Sequence, residues 1–231
     1  MPQPSRPPQF KPLPPGTPVA RSSIPIRRGR PLVDLHDSAI RDAVAHELHQ
    51  AVLDVSESDG VGWCLLYSAG GEMLLNHLSG DASYAGQVGS LRLHLPDAGS
   101  DASIFAMVVD HGGVDRHEFH AWIGRHLTAR APDGTVAVQV DEDQYEVIDF
   151  SARHYPTWWN GMAAHLEDLP AWTGPTPAYI WTVKQHLPPW VSLRASVAET
   201  LRAHDVLAST GMLDGARAVA ELAGSRLQHL W

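Results

Sequence analysis

The sequence predicts an α+β domain on three observations. An apolar stripe with helical spacing runs through its first part, the middle third has a period closer to two, and helical spacing returns towards the end. Its 231 residues suffice for one domain of ordinary size plus a tail, and 44% of them are hydrophobic, enough to fill a core. The division read from composition is a disordered Pro/Arg-rich arm over 1–31 and a single α+β domain over 32–231.

The arm holds Pro2, Pro4, Pro7, Pro8, Pro12, Pro14, Pro15, Pro18, Pro25 and Pro31, a density that blocks helix and sheet interiors and favours extended chain. The first helix is expected from about Asp37 to Val55. Asp37 or Ser38 can cap it, and Ile40, Val44, Leu48, Val52 and Val55 fall three or four apart. His46 and His49 lie off that stripe and read as exposed. After a turn at Ser58-Asp59-Gly60, a second helix is expected from close to Cys64 to near Gly80. Gly70 and Gly71 weaken it by about 1 kcal/mol each unless they permit close packing.

From Gln87 to Ala152 the pattern reads as hairpins: alternation over Val88–Leu95, then strands at Ile104–Val109, Phe119–Leu127, Val136–Val140 and Tyr145–Phe150. Turns are expected at Asp97-Ala98-Gly99, Gly112-Gly113 and Pro132-Asp133-Gly134. The final third reads as helical after a Trp- and Pro-rich stretch. Ser192 is placed as the cap of a helix carrying Leu193, Val197, Leu201 and Val206, and a last helix runs over about Leu213–Leu230.

Charge narrows the function classes. The net charge is −9, yet residues 1–31 carry six positive groups and no acid. The remainder has 11 Lys+Arg against 26 Asp+Glu, about −15, a body that repels a phosphate backbone. Nucleic-acid binding by the folded domain is therefore not expected. No stretch approaches the roughly 20 apolar residues of a membrane span, and prolines stand where the apolar core of a signal peptide would be. These features predict a cytoplasmic protein, or one secreted without a cleaved signal peptide.

One cysteine excludes an internal disulfide framework and zinc sites built from several thiolates. Cys64 sits in Gly62-Trp63-Cys64-Leu65-Leu66, a glycine turn feeding a helix. A thiol there meets the positive end of the helix dipole and unpaired N–H groups, which favour a thiolate and can hold an oxyanion. His120 lies in the strand string Phe119-His120-Ala121-Trp122-Ile123, and Asp149 closes the apolar strand Tyr145–Phe150. A carboxylate there is costly to bury unless paired, and an adjacent strand bearing His120 would supply the partner. Thiolate attack on an acyl carbon, with imidazole shuttling the proton and carboxylate orienting the imidazole, is the chemistry of such a set. Trp63, Trp122 and Arg153 are the candidate substrate contacts. His111, His117 and His120, with Asp110 and Asp115, could also be read as metal ligands, but no compact ligand motif is present, and no metal site is expected.

The order of a helix-starting Cys64, then His120-Ala121-Trp122, then a strand ending in Asp149 resembles the papain-like fold in its transglutaminase-like branch. The string Ile148-Asp149-Phe150-Ser151-Ala152-Arg153-His154-Tyr155 is similar to the aspartate, then threonine-alanine-arginine segment of papain-fold toxins and glutamine deamidases, with Ser151 in place of the threonine. The resemblance covers Ser58 to Tyr155. It implies a Cys-bearing helix packed on an antiparallel sheet, followed here by C-terminal helices. It implies a cysteine-dependent amide hydrolase or acyltransferase that needs no cofactor and acts on a protein or peptide, as protease, deamidase or transglutaminase. It also suits a bacterial effector or toxin.

Two departures stand out. Papain-type proteases place a glutamine shortly before the cysteine, where this chain has Glu57-Ser58-Asp59-Gly60-Val61-Gly62. The interval from His120 to Asp149 leaves room for an extra strand at Val136–Val140, so the two need not lie on neighbouring strands. The alternative reading is a non-catalytic binding domain on a similar or unrelated α+β scaffold, using the acidic body or the Trp-rich segment.

Overall fold

A computed structural model describes residues 31–60, 62–80, 82–95, 103–106, 119–126, 129–130, 136–137, 145–164 and 170–231. The proline-rich arm, save Pro31, and the three turns expected between strands lie outside these residues.

Helix α1 (Ser38–Ser56) begins where the sequence places it, with the Asp37 side chain accepting a hydrogen bond from Ala39 N–H. It buries Val44, Ala45, Leu48, Ala51 and Val52. His49 departs from expectation: it is half-buried, with Nδ1 2.5 Å from the Tyr67 hydroxyl. Helix α2 (Cys64–Ser79) starts at the cysteine and stops at Gly80, whose left-handed conformation (φ 70°) closes the last turn.

The strands are β1 (Tyr84–His94), β2 (Ser103–Ala106), β3 (His120–His126), β4 (Ala129–Arg130), β5 (Val136–Ala137), β6 (Tyr145–Asp149), β7 (Ile180–Val183) and β8 (Val191–Ala195). Six of them form one antiparallel sheet. The long strand β1 pairs with β3 through its first half and with β2 and β8 through its second. β3 then pairs with β6, Ile123 opposite Ile148, and β6 with β7, Ile148 opposite Trp181. Val136 does not begin a strand between β3 and β6. It pairs with Arg130 in a separate two-stranded ribbon, so the strands of His120 and Asp149 are direct neighbours.

The final third corrects the sequence reading further. It gives two strands, β7 and β8, to the sheet before the helices return as α4 (Val197–Ser209) and α5 (Met212–Arg226). Ser192 lies inside β8 opposite Arg92 and caps nothing. Its alternating neighbours Val191 and Leu193 are both buried, a period-two pattern too short to separate from a helix start. A short helix, α3 (Tyr155–Ala163), follows β6.

Two cores flank the sheet. On one face α2 lies against β3 and is backed by α1 and α5, with Leu66, Leu74, Leu75, Ile123, Ile148, Phe150 and Val219 buried between them. The other face packs Leu91, Leu93, Trp122 and Val147 against Tyr155 and Trp159. The glycines of α2 permit this layering. A Cβ on Gly71 would stand 2.6 Å from Ile123 Cδ1 and 3.1 Å from the Phe150 ring. One on Gly70 would stand 2.8 Å from Val219 Cγ1 and 3.2 Å from the Ala216 carbonyl oxygen. Close packing on both sides therefore outweighs the helix-propensity cost.

Gly70→Ala must push α5 away, because Val219 is β-branched and stiff and Ala216 offers backbone. The expected loss is about 1–3 kcal/mol from overpacking, set against a propensity gain of about 1 kcal/mol. Gly224→Ala in α5, whose Cβ would meet only Leu74 Cδ1 at 3.7 Å, keeps the propensity gain. Urea unfolding should show the first variant destabilised and the second unchanged or stabilised.

Candidate active site

Antiparallel pairing brings the start of β3 beside the end of β6. His120 opens one strand, Asp149 closes the other, and both side chains lie on the sheet face that carries Trp122 and Val147. His120 Nε2 is 2.7 Å from Asp149 Oδ2, with 6% and 1% of the two residues exposed.

The carboxylate accepts from four donors. Oδ2 takes the His120 N–H and the Tyr155 hydroxyl; Oδ1 takes the Ser151 N–H at 2.9 Å and the Ser151 hydroxyl at 2.7 Å. Tyr155 OH also lies 3.3 Å from His120 Nε2, and its ring meets the imidazole edge-on at 5.7 Å. Behind the imidazole, the Trp122 ring stacks at 6.0 Å and 18°.

These contacts set the charges. Burial alone would lower the proton affinity of His120, but the Asp149 charge and hydrogen bond outweigh it, helped by the nearby Cys64, and the imidazole is held well above its ordinary value. Asp149 is likewise penalised by burial, yet His120, Tyr155 and Ser151 hold it below the usual carboxylate range. With Nε2 engaged by the carboxylate, Nδ1 is the nitrogen left for Cys64.

Cys64 is the first residue of α2 and half-buried, with Sγ 3.8 Å from the Phe119 carbonyl oxygen, one residue before His120. Trp63 O accepts from both Leu66 N–H and Tyr67 N–H, opening the helix. The Cys64 N–H, in the first turn, has no intrahelical acceptor. One turn on, the Ser68 hydroxyl donates to Trp122 O at 2.8 Å, tying the helix to the strand that carries His120.

The sequence-predicted triad is thus brought together. The predicted substrate contacts are not all placed as such. Trp63 is half-buried and directly precedes the thiol. Trp122 is 2% exposed and forms the wall behind His120 rather than a surface for a ligand. Arg153 points to α1, where Nη2 donates to Ala45 O at 3.3 Å. Ser151 and Tyr155, which clamp Asp149, enter the sequence reading only as members of the resembling segment, with no role assigned to either. A serine two residues after an aspartate is a known local bonding pattern and was a usable signal, whereas the tyrosine, six residues on, carried none. Among the described residues no group of three His, Cys, Asp or Glu is placed to hold a metal ion. His111, His117, Asp110 and Asp115 lie outside them.

No family model and no curated protein matches the chain. A solved chain described only as the crystal structure of a genomics target is 14% identical, covering 80% of this chain and 78% of that one, with a TM-score of 0.44. That likeness is too low to bear on function.

Mutual stabilisation of His120 and Asp149 fixes a pH window. The pair's contribution to stability is complete between the ordinary values of the two groups, 3.8 for the carboxyl and 6.5 for the imidazole. It is lost as pH falls through the depressed folded value of Asp149, and as pH rises through the elevated folded value of His120. The stability advantage of wild type over Asp149→Asn should therefore shrink on the alkaline side, and the His120 ring, followed by NMR, should deprotonate at lower pH in the variant.

Proposed function

We propose that the protein is a cysteine-dependent amide hydrolase or acyltransferase of the papain-like, transglutaminase-like kind, with Cys64 as nucleophile, His120 as proton carrier and Asp149 as the orienting carboxylate. The observation that carries this reading is the buried His120–Asp149 pair at 2.7 Å, with Cys64 close enough to raise the proton affinity of the imidazole and its Sγ 3.8 Å from the carbonyl oxygen of Phe119, the residue before His120. A merely structural cysteine would have no need of an imidazole fixed in orientation and held protonated beside it.

On this reading the reaction is acyl transfer through sulfur. Cys64 sulfur attacks the amide carbon, forming an S–C bond, and the oxyanion develops near the Cys64 N–H at the head of α2. The C–N bond breaks as His120 gives its proton to the departing nitrogen, an amine from a peptide bond or ammonia from a glutamine side chain. Water, or an amine, then gives a proton to His120 and displaces the sulfur. A protein or peptide substrate fits this chemistry, and the half-buried Trp63 is the aromatic side chain that adjoins the reacting sulfur in sequence. Without an upstream glutamine, the oxyanion needs backbone donors or another side chain.

No helix among the described residues is long and apolar enough to cross a membrane. Action in the cytoplasm, or as a bacterial effector or toxin secreted without a cleaved leader, is proposed on the resemblance alone.

Alkylation of Cys64 by iodoacetamide tests the assignment. On the slightly acid side of neutrality, wild type should react about tenfold faster or more than His120→Ala, because the imidazolium favours the thiolate. Cys64→Ala should keep the fold and abolish amide turnover. Slow labelling of native protein that becomes normal only on unfolding would point to a structural thiol and to the alternative, a non-catalytic protein-binding domain.

A further inference from the structure

A second polar cluster lies beneath the turn that delivers Cys64. Tyr67, in the first turn of α2 and 1% exposed, places its hydroxyl 2.5 Å from His49 Nδ1 on α1 and 3.0 Å from His154 Nε2 on the segment after β6. The three rings are in mutual contact, with centroids 5.7–6.0 Å apart. Gly60, buried at φ 81°, sits directly on them: a Cβ there would stand 2.8 Å from Tyr67 Oη and 3.1 Å from His154 Nε2. Gly60 O in turn accepts from Trp63 N–H, the residue before the nucleophile. His154 also lies one residue before Tyr155 and three after Ser151, the two clamps of Asp149.

We infer that Tyr67, His49 and His154 form a positioning staple that holds the Gly60 turn, and through it the Cys64 thiol, in register with His120, and that acid opens the staple as the two imidazoles take up protons, most fully when both are charged. The catalytic consequence rests on the proposed role of Cys64; the staple itself does not.

Proton counting at the phenol supports the second half. The hydroxyl has one hydrogen to donate and lone pairs to accept with. With both rings neutral, or with one charged, it accepts from one imidazole and donates to the other. With both charged, each facing nitrogen is a donor, the tyrosine hydrogen has no acceptor, and two positive rings face each other across one oxygen. Burial keeps the phenol itself protonated.

The charged and titratable groups around the rings are His46 from α1, Asp59 from the turn, Asp149 from β6 and Arg153 beside His154. Burial lowers His49 to about 4, with Arg153, His154 and His46 adding to the effect. Burial and Arg153 also lower His154, against the opposing charges of Asp59 and Asp149. Imidazoles whose folded values are depressed favour the folded arrangement above their ordinary value of 6.5, and that support is lost as pH falls towards about 4.

Amide hydrogen exchange of the peptide spanning 57–66, corrected for the intrinsic pH dependence, reads the turn directly. In wild type, protection should fall about tenfold or more between neutral pH and about pH 4.5 while the β3 and β6 peptides stay protected. His154→Gln keeps a hydrogen-bonding group for the tyrosine but cannot charge, so only His49 still titrates and the acid loss of protection should be about tenfold smaller than in wild type. His49→Gln should behave alike, which covers failure of either variant to fold. Wild-type protection that does not change with pH, or variants that open with the wild-type profile, would overturn the staple. If exchange behaves as expected while Cys64 alkylates slowly at every pH, the staple stands and the nucleophile assignment fails.

Discussion

The structure turns on one buried carboxylate. Ionised Asp149, almost wholly removed from water, would cost several kcal/mol without compensation. Its compensation comes from four donors on three residues, and two of those residues, Ser151 and Tyr155, follow within six positions. The chain leaving β6 must therefore turn at once, so that Ser151 presents its N–H and hydroxyl to one oxygen and Tyr155 reaches the other. That turn starts α3 at Tyr155 and sends the chain over the sheet face opposite α2. The third residue is His120, which the carboxylate can reach only if β3 and β6 are neighbours, as they are.

The thiol of Cys64 arrives by a different route. Cys64 belongs to the helix packed on the other face of the sheet, so it meets His120 only at the sheet's end. The position of α2 along the sheet then decides whether the site forms. Gly70 and Gly71 let the helix sink between α5 and the strands, and the Ser68 hydroxyl bonds the carbonyl of Trp122, whose ring backs the imidazole. A helix held by such close contacts has two sides that cannot shift independently, and its first residue inherits that rigidity.

Much of this was visible in the sequence. The Asp37 cap, the helix starting at Cys64 and the strand ending at Asp149 all follow local rules of spacing and capping, and each is found where expected. What failed was non-local. Strand β8 has only two buried apolar positions, Val191 and Leu193, and its identity comes from pairing with β1, nearly a hundred residues earlier. Val136–Val140 is as strand-like as Tyr145–Phe150, yet Val136 and Ala137 pair in the ribbon, whereas β6 lies beside β3. Trp122 and Arg153 looked like ligand contacts because aromatic and cationic side chains often are; their burial and direction depend on what lies above and beside them. His49, off the main stripe of α1, faces Tyr67 across a helix interface that α1 alone does not reveal.

The arrangement also has an electrostatic logic that links its parts. The N-terminus of α2 carries partial positive charge directed at the site, which disfavours the adjacent imidazolium. Without a further negative group, the helix would push the proton off His120 and weaken the ion pair it is meant to support. Asp149 reverses this: burial is the largest single influence on the imidazole, but the charge and the hydrogen bond of Asp149, with Cys64 adding to them, together exceed it and keep the proton on the ring. Ser151 and Tyr155 are the residues that let the carboxylate stay ionised in so dry a place, so the proposed reactivity of Cys64 depends on two hydroxyls that need not touch the substrate at all.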